Sequence, residues 1–190
     1  MPDAKDTSTT GTTRRLGEVD ISDASSLAYK EYEAERLEES EAIYRKVLQV
    51  DPENATALHM LGLLAYKGGR NQDAADFFNH ALARRPDWPY THSNLGILRH
   101  HQGKFEDAIV CYRKAIDLKH DFAEAYNNLG VSLHQLNQLE EAILNFRRAL
   151  TRNPDYVEAH FSLGKLLQQL GKLEEAESHY RKVTVLMPAH

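Results

Sequence analysis

The feature that most constrains this chain is its self-similarity at a period of 34 residues. Shifted by that interval, the sequence places Leu27, Leu61, Leu95, Leu129 and Leu163 in one register. Ala28, Gly62, Gly96, Gly130 and Gly164 follow in the next. Later registers hold Ser40, Ala74, Ala108, Ala142 and Ala176, then the rings Tyr44, Phe78, Tyr112, Phe146 and Tyr180. Val47, Ala81, Ala115, Ala149 and Val183 come next, and Pro52, Pro86, His120, Pro154 and Pro188 close the unit. A unit this short cannot bury an apolar face alone. Such units fold by stacking on their neighbours, so the chain is a linear array.

Each register has a mechanical reason. Apolar residues recur at helical spacing in two segments of each unit, for example 123–136 and 140–152 in the fourth. Gly69, Gly103, Asn137 or Gly171 lies between the segments, where the left-handed conformation ends a helix. The Leu-Gly pair sets a large side chain beside a missing one, and the small Ala register answers it from the second helix. Helix axes approach to about 8–10 Å only across such small contacts. The aromatic ring is expected to fill the space between one unit and the next, its burial contributing about 1.5–3 kcal/mol. Proline then stops the second helix.

The stretches LHMLGLLAY, HSNLGILRH, YNNLGVSLH and HFSLGKLLQ, with EDAIVCYRKAI and EEAILNFRRAL, resemble the tetratricopeptide repeat (TPR). The resemblance implies an all-α, right-handed α-solenoid of five helix-turn-helix units at 21–54, 55–88, 89–122, 123–156 and 157–190, with a TPR domain over 21–188. The first unit departs from the pattern, with Ala28 for Gly, Glu31 at an apolar site and no glycine turn, as expected of an end repeat. Residues 1–20 are rich in Thr, Ser, Asp and Gly without hydrophobic periodicity, and are expected to form a disordered tail.

Composition narrows the function. A net charge of −5 and a pI near 6.1 argue against nucleic-acid binding. Cys111 is the single cysteine and needs no oxidising compartment. The N-terminus lacks a signal-peptide apolar run and no 18-residue apolar span occurs, so a soluble cytoplasmic protein with no membrane association is expected. Ten histidines raise a metal hypothesis. Yet His100 and His101 stand one repeat, about 10 Å, from His134, too far for shared zinc bonds of about 2.0–2.1 Å. His92 and His160 look like packing residues. No HExxH, CxxC, nucleophile elbow or phosphate loop is present, and Gly68-Gly69 is a turn between helices. Cys111 reads as a buried thiol, and Glu140-Glu141 and Glu174-Glu175 as complements to helix N-termini. No catalytic residue, metal or cofactor is expected, and the chain is read as a non-enzyme.

In such a stack the first helices line the concave face. The resemblance and helical spacing together assign that face to positions two, five, six, nine, twelve and thirteen of each unit. His59 and Tyr66 fall there in the second unit, and Tyr90, Asn94, His100 and His101 in the third. Asn127, Asn128 and His134 do so in the fourth, and Phe161 and Lys165 in the fifth. Asn94 and Asn128 share one register, so their amides should stand about 10 Å apart, the span of about three extended residues. The TPR half of O-GlcNAc transferases has a similar asparagine ladder. The co-chaperone clamp for a C-terminal carboxylate, by contrast, has no counterpart in pairs such as His59/Leu63 or Asn127/Val131.

These readings point to a non-catalytic scaffold or adaptor that binds an extended peptide or protein segment in its groove. The alternatives are the substrate-recruiting portion of a larger O-GlcNAc-transferase-like enzyme and a self-assembling structural protein. For the last, Tyr180, Val183, Leu186 and Met187 would offer an uncapped face for self-association.

Overall fold

A computed structural model describes residues 15–16 and 19–188. Arg15–Leu16 (β1) and Val19–Asp20 (β2) pair as a two-residue antiparallel ladder against the first two helices. The expected disorder of residues 1–20 does not hold for these four, and the remainder of that tail lies outside the described residues. Asp20 then caps the first helix, its carboxylate accepting from the Ser22 N–H at 2.7 Å.

Ten helices follow among the described residues, in two series that each repeat every 34 residues. The first helices span 13 residues: α1 Ile21–Glu33, α3 Ala55–Lys67, α5 Pro89–His101, α7 Ala123–Gln135 and α9 Val157–Gln169. The second helices span 14: α2 Leu37–Val50, α4 Asn71–Arg84, α6 Phe105–Leu118, α8 Leu139–Arg152 and α10 Leu173–Leu186. Each helix packs chiefly on its sequence neighbours, and α3–α5, α5–α7 and α7–α9 also touch. The closeness of consecutive first helices makes their side the inside of the curve.

Within a unit the turn takes a left-handed residue, as the spacing implied: Gly69, Gly103 and Gly171 have φ of 72°, 73° and 74°, and Asn137 58°. The first unit uses Glu35 at φ 59°. Second helices end at the same register whether or not proline follows, since α6 stops at Leu118 ahead of His120. The aromatic register differs from its expected role. The rings lie on the glycine of their own unit: a Cβ on Gly62 would meet Phe78 Cε1 at 2.5 Å, and one on Gly96 would meet Tyr112 Cε1 at 2.7 Å. Tyr44, Phe78, Tyr112 and Phe146 are all buried, with the small residues Ala74, Ala108 and Ala142 fully covered beside them. In the first unit Ser40 Oγ donates to the Ala28 carbonyl at 2.8 Å, using its hydroxyl where the others have a methyl.

Candidate functional site: the inner face of the first helices

At the N-terminal half of the inner face, α1, α3 and the start of α5 enclose a cavity of about 640 Å³. Its apolar walls come from Tyr29, Met60, Trp88 and Tyr90, and its polar rim from Ser22, Ser25, Ser26 and Lys30. Trp88, the single tryptophan, carries the His59 ring at 4.5 Å between centroids and the Arg85 guanidinium at 4.5 Å. Tyr90 is half exposed, and Lys119 donates to its hydroxyl at 2.8 Å while lying 4.8 Å from its ring centroid.

His59 lies deeper than its register suggested. It is only 6 % exposed, bonded to Thr91 Oγ1 at 2.8 Å, and burial takes its pKa down to about 4. A neutral imidazole there ties α3 to α5 and shows the cavity only one edge. Asn127 is likewise buried, in a stretch of α7 whose Tyr126 and Leu129 belong to the hydrophobic core.

Asn94 and Asn128 are half-buried at the centre of the inner face. Asn94 makes no side-chain hydrogen bond among the described residues, whereas Asn128 Oδ1 accepts one long bond, 3.4 Å, from Asn127 Nδ2. Directly beside them in sequence, Ser93 Oγ and Asn127 Oδ1 are buried without a partner. Buried polar atoms are nearly always satisfied, so two such atoms in one register are a departure from the rule.

Four expected groove residues are engaged between units. The Tyr66 hydroxyl bonds His101 Nδ1, and their rings stack at 5.8 Å. His100 Nδ1 meets Ser132 Oγ at 2.9 Å, and His134 Nε2 meets Gln169 Oε1 at 2.9 Å. Tyr32 and Lys67 continue the series, with the ammonium 4.6 Å from the ring. Position twelve of one unit thus meets position thirteen of the next in the Tyr66–His101, His134–Gln169 and Tyr32–Lys67 contacts, and position ten in His100–Ser132. These side chains link the units, and each of the three histidines bonds a different partner, although the His100 and His101 rings meet edge-on at 5.9 Å. No group of three or more metal-ligand side chains exists among the described residues.

Toward the C-terminal end the face turns acidic. Glu124 and Glu158 share position two, and burial, then the Glu158 charge, raises the Glu124 carboxyl above its ordinary value. Burial and the same two carboxylates push the Tyr156 phenol up to about 12. Phe161 stays 53 % exposed, 6.1 Å from the Tyr180 ring, and Lys165 is exposed with no ion pair among the described residues.

The sequence reading left Trp88 out of the site. Its signal was present, since the last position of the unit carries Trp88, Phe122 and Tyr156 in succession. His160 is buried and His92 half-buried, and each ring donates from Nε2 to a proline carbonyl, Pro154 or Pro86, at 2.9 Å.

A curved stack of helix pairs with its polar and aromatic side chains gathered on the inner helices defines an α-solenoid repeat protein. Family models described as "TPR repeat" match residues 98–137 and 132–171, and those described as "Tetratricopeptide repeat" match 26–89 and 157–190. The chain belongs to the tetratricopeptide-repeat family. Among solved structures it is similar to pilF of Pseudomonas aeruginosa, with a TM-score of 0.83, 19 % identity, and coverage of 90 % of this chain and 78 % of that one. It is also similar to MamA, with a TM-score of 0.74, 23 % identity, and coverage of 84 % and 93 %. YrrB, titled a TPR protein with an unusual peptide-binding site, gives a TM-score of 0.70 at 23 % identity, covering 88 % and 86 %. The comparison with curated proteins returned no match. No helix among the described residues is long and apolar enough to cross a membrane.

Proposed function

We propose that this chain is a non-catalytic interaction module that holds an extended polypeptide segment along the inner face of its first helices. The observation that carries this reading is the pairing of an aromatic cavity with unspent hydrogen-bonding capacity on one face. The cavity of about 640 Å³ suits an apolar side chain, being within the common range for ligand sites. Asn94 and Asn128 then offer a donor and an acceptor each, which matches a peptide backbone without demanding particular side chains. The likeness to YrrB supports the same direction.

Trp88 supplies the test, because the only tryptophan lines the cavity. A library of extended peptides is titrated while Trp88 emission is followed. Binders should saturate the signal, and an Asn94→Ala/Asn128→Ala variant should weaken them at least about tenfold, the loss of roughly 1.4 kcal/mol. N-methylation of the peptide backbone should weaken binding similarly, whereas conservative side-chain changes outside the anchor should matter less. Unchanged affinity in the double variant would remove the asparagines from the site.

A further inference from the structure

Departures from the repeat pattern converge in space at the junction of the third and fourth units. His120 replaces the closing proline, and Tyr126 stands where His92 and His160 cap the Pro86 and Pro154 carbonyls. Arg152 takes over that duty, donating from Nε to the His120 carbonyl at 3.3 Å with its guanidinium 5.1 Å from the Tyr126 ring centroid. These replacements border a crevice of about 460 Å³ that shares no lining residue with the groove cavity. Ile116, Leu129 and Tyr126 form its apolar wall, and Arg113, Arg148 and Arg152 contribute three guanidinium groups.

Asn145 lines the same crevice, at a register where the other units carry Ile43, Phe77, Cys111 and His179. It is 1 % exposed. Its Nδ2 donates to the Glu141 carbonyl at 2.8 Å, which fixes the amide orientation and leaves Oδ1 buried with no donor. Arg113 is paired with Glu141 at 2.8 Å, while Arg148 has no ion pair among the described residues. The crevice therefore offers a free guanidinium fork, an unused acceptor and an apolar wall. With Asp117 and Glu141 also lining it, three cations face two anions and one positive charge is left over.

We propose that this crevice is a second binding site, separate from the groove, for an acidic side chain flanked by an apolar residue in a partner polypeptide. A single carboxylate matches the one excess charge and the planar fork of Arg148. The partner's own backbone N–H completes Asn145 Oδ1, and its apolar neighbour lies on Tyr126, Ile116 and Leu129. A phosphate dianion or a nucleic-acid backbone would bring more negative charge than the lining neutralises, and would leave the apolar wall unused.

The test is an NMR titration of the isotope-labelled full chain with acetyl-Leu-Glu-Leu-amide, its Gln counterpart acetyl-Leu-Gln-Leu-amide, and inorganic phosphate. The acidic peptide should give saturable shifts at the Asn145 amide and the Arg148 Nε–H, with at least about tenfold weaker binding of the Gln peptide. Arg148→Glu should abolish these shifts, and Arg181→Glu, an exposed charge elsewhere, should leave them intact. Asn145→Leu should weaken the peptide while raising the melting temperature, because it removes an unsatisfied buried acceptor. Equal affinity for the two peptides, phosphate binding as strong as the peptide's, or no shift at these two residues would each overturn the proposal.

Discussion

At the scale of single residues, His59 shows how burial converts a polar candidate into a structural one. Its pKa, brought down to about 4 by desolvation, lies below its ordinary 6.5, so between those values the unfolded chain binds a proton that the folded chain refuses. The stability this neutral ring contributes is full above pH 6.5 and drains as pH falls toward 4, at about 1.4 kcal/mol per pH unit. From pH 6.5 to 5 the loss from this group should be about 2 kcal/mol. Urea unfolding at pH 7 and pH 5 measures it, and a His59→Leu/Thr91→Val variant, which removes the ring and its buried hydroxyl partner together, should lose less on acidification than the parent. Cys111 gives a second residue-level expectation: burial pushes its thiol up to about 11, so native-state alkylation at pH 8 should be about a hundredfold slower than that of a free thiol near 8.5. Helical spacing placed His59 and Asn127 on the inner side of their helices, and both prove to be buried, His59 6 % and Asn127 5 % exposed. Depth depends on what the end of the unit and the start of the next press against the ring, here Trp88 and Thr91 for His59. That contact joins residues about one repeat apart, and no local pattern reports it.

At the scale of elements, the helix boundaries were legible because they are set by local chemistry repeated at a fixed interval. A left-handed residue closes each first helix, and a common register ends each second helix even where proline is missing. The resting place of the aromatic ring was not legible, since the same spacing serves a ring between units or a ring on its own unit's glycine. The observed contact makes a graded prediction. Gly→Ala in a helix ordinarily gains about 0.5–1 kcal/mol, but forcing a methyl group into a packed ring costs about 1–3 kcal/mol. Clearances to the ring are 2.5 Å at Gly62, 2.7 Å at Gly96 and Gly130, and 3.0 Å at Gly164, where Tyr180 is only half-buried. Gly62→Ala should therefore be the most destabilising, Gly96→Ala and Gly130→Ala intermediate, and Gly164→Ala close to neutral, as read from thermal melts. If all four cost the same, ring contact is not what selects glycine. Glu35 makes the opposite prediction. It sits at φ 59° without the freedom of glycine, so Glu35→Gly should stabilise the first unit by about 1 kcal/mol, and Asn137→Gly, relieving a residue that tolerates this conformation, by less.

At the scale of the whole molecule, stability is a sum of units and of the interfaces between them, and each interface carries recurring polar links. Arg113–Glu141 at 2.8 Å and Arg147–Glu175 at 3.2 Å repeat between second helices, as the Tyr66–His101 and His134–Gln169 contacts do between first helices. The exposed ion pairs contribute little each and serve chiefly to set register. Against that regularity α10 stands apart. Val185 is 74 % exposed and Met187 64 %, at registers where the other units carry Gln49, Ala83, Asp117 and Thr151, and Asp51, Arg85, Lys119 and Asn153. A large apolar side chain at these registers is thus private to this unit and not a property of the repeat, which makes it a candidate contact surface. If a second copy covers it, light scattering should show the mass rising from 21.6 kDa with concentration, and Val185→Glu/Met187→Glu should hold the chain at that mass without lowering its melting temperature. A parent chain that stays at 21.6 kDa throughout would leave the α10 surface to a different polypeptide, and the variant would then have no effect on mass at any concentration.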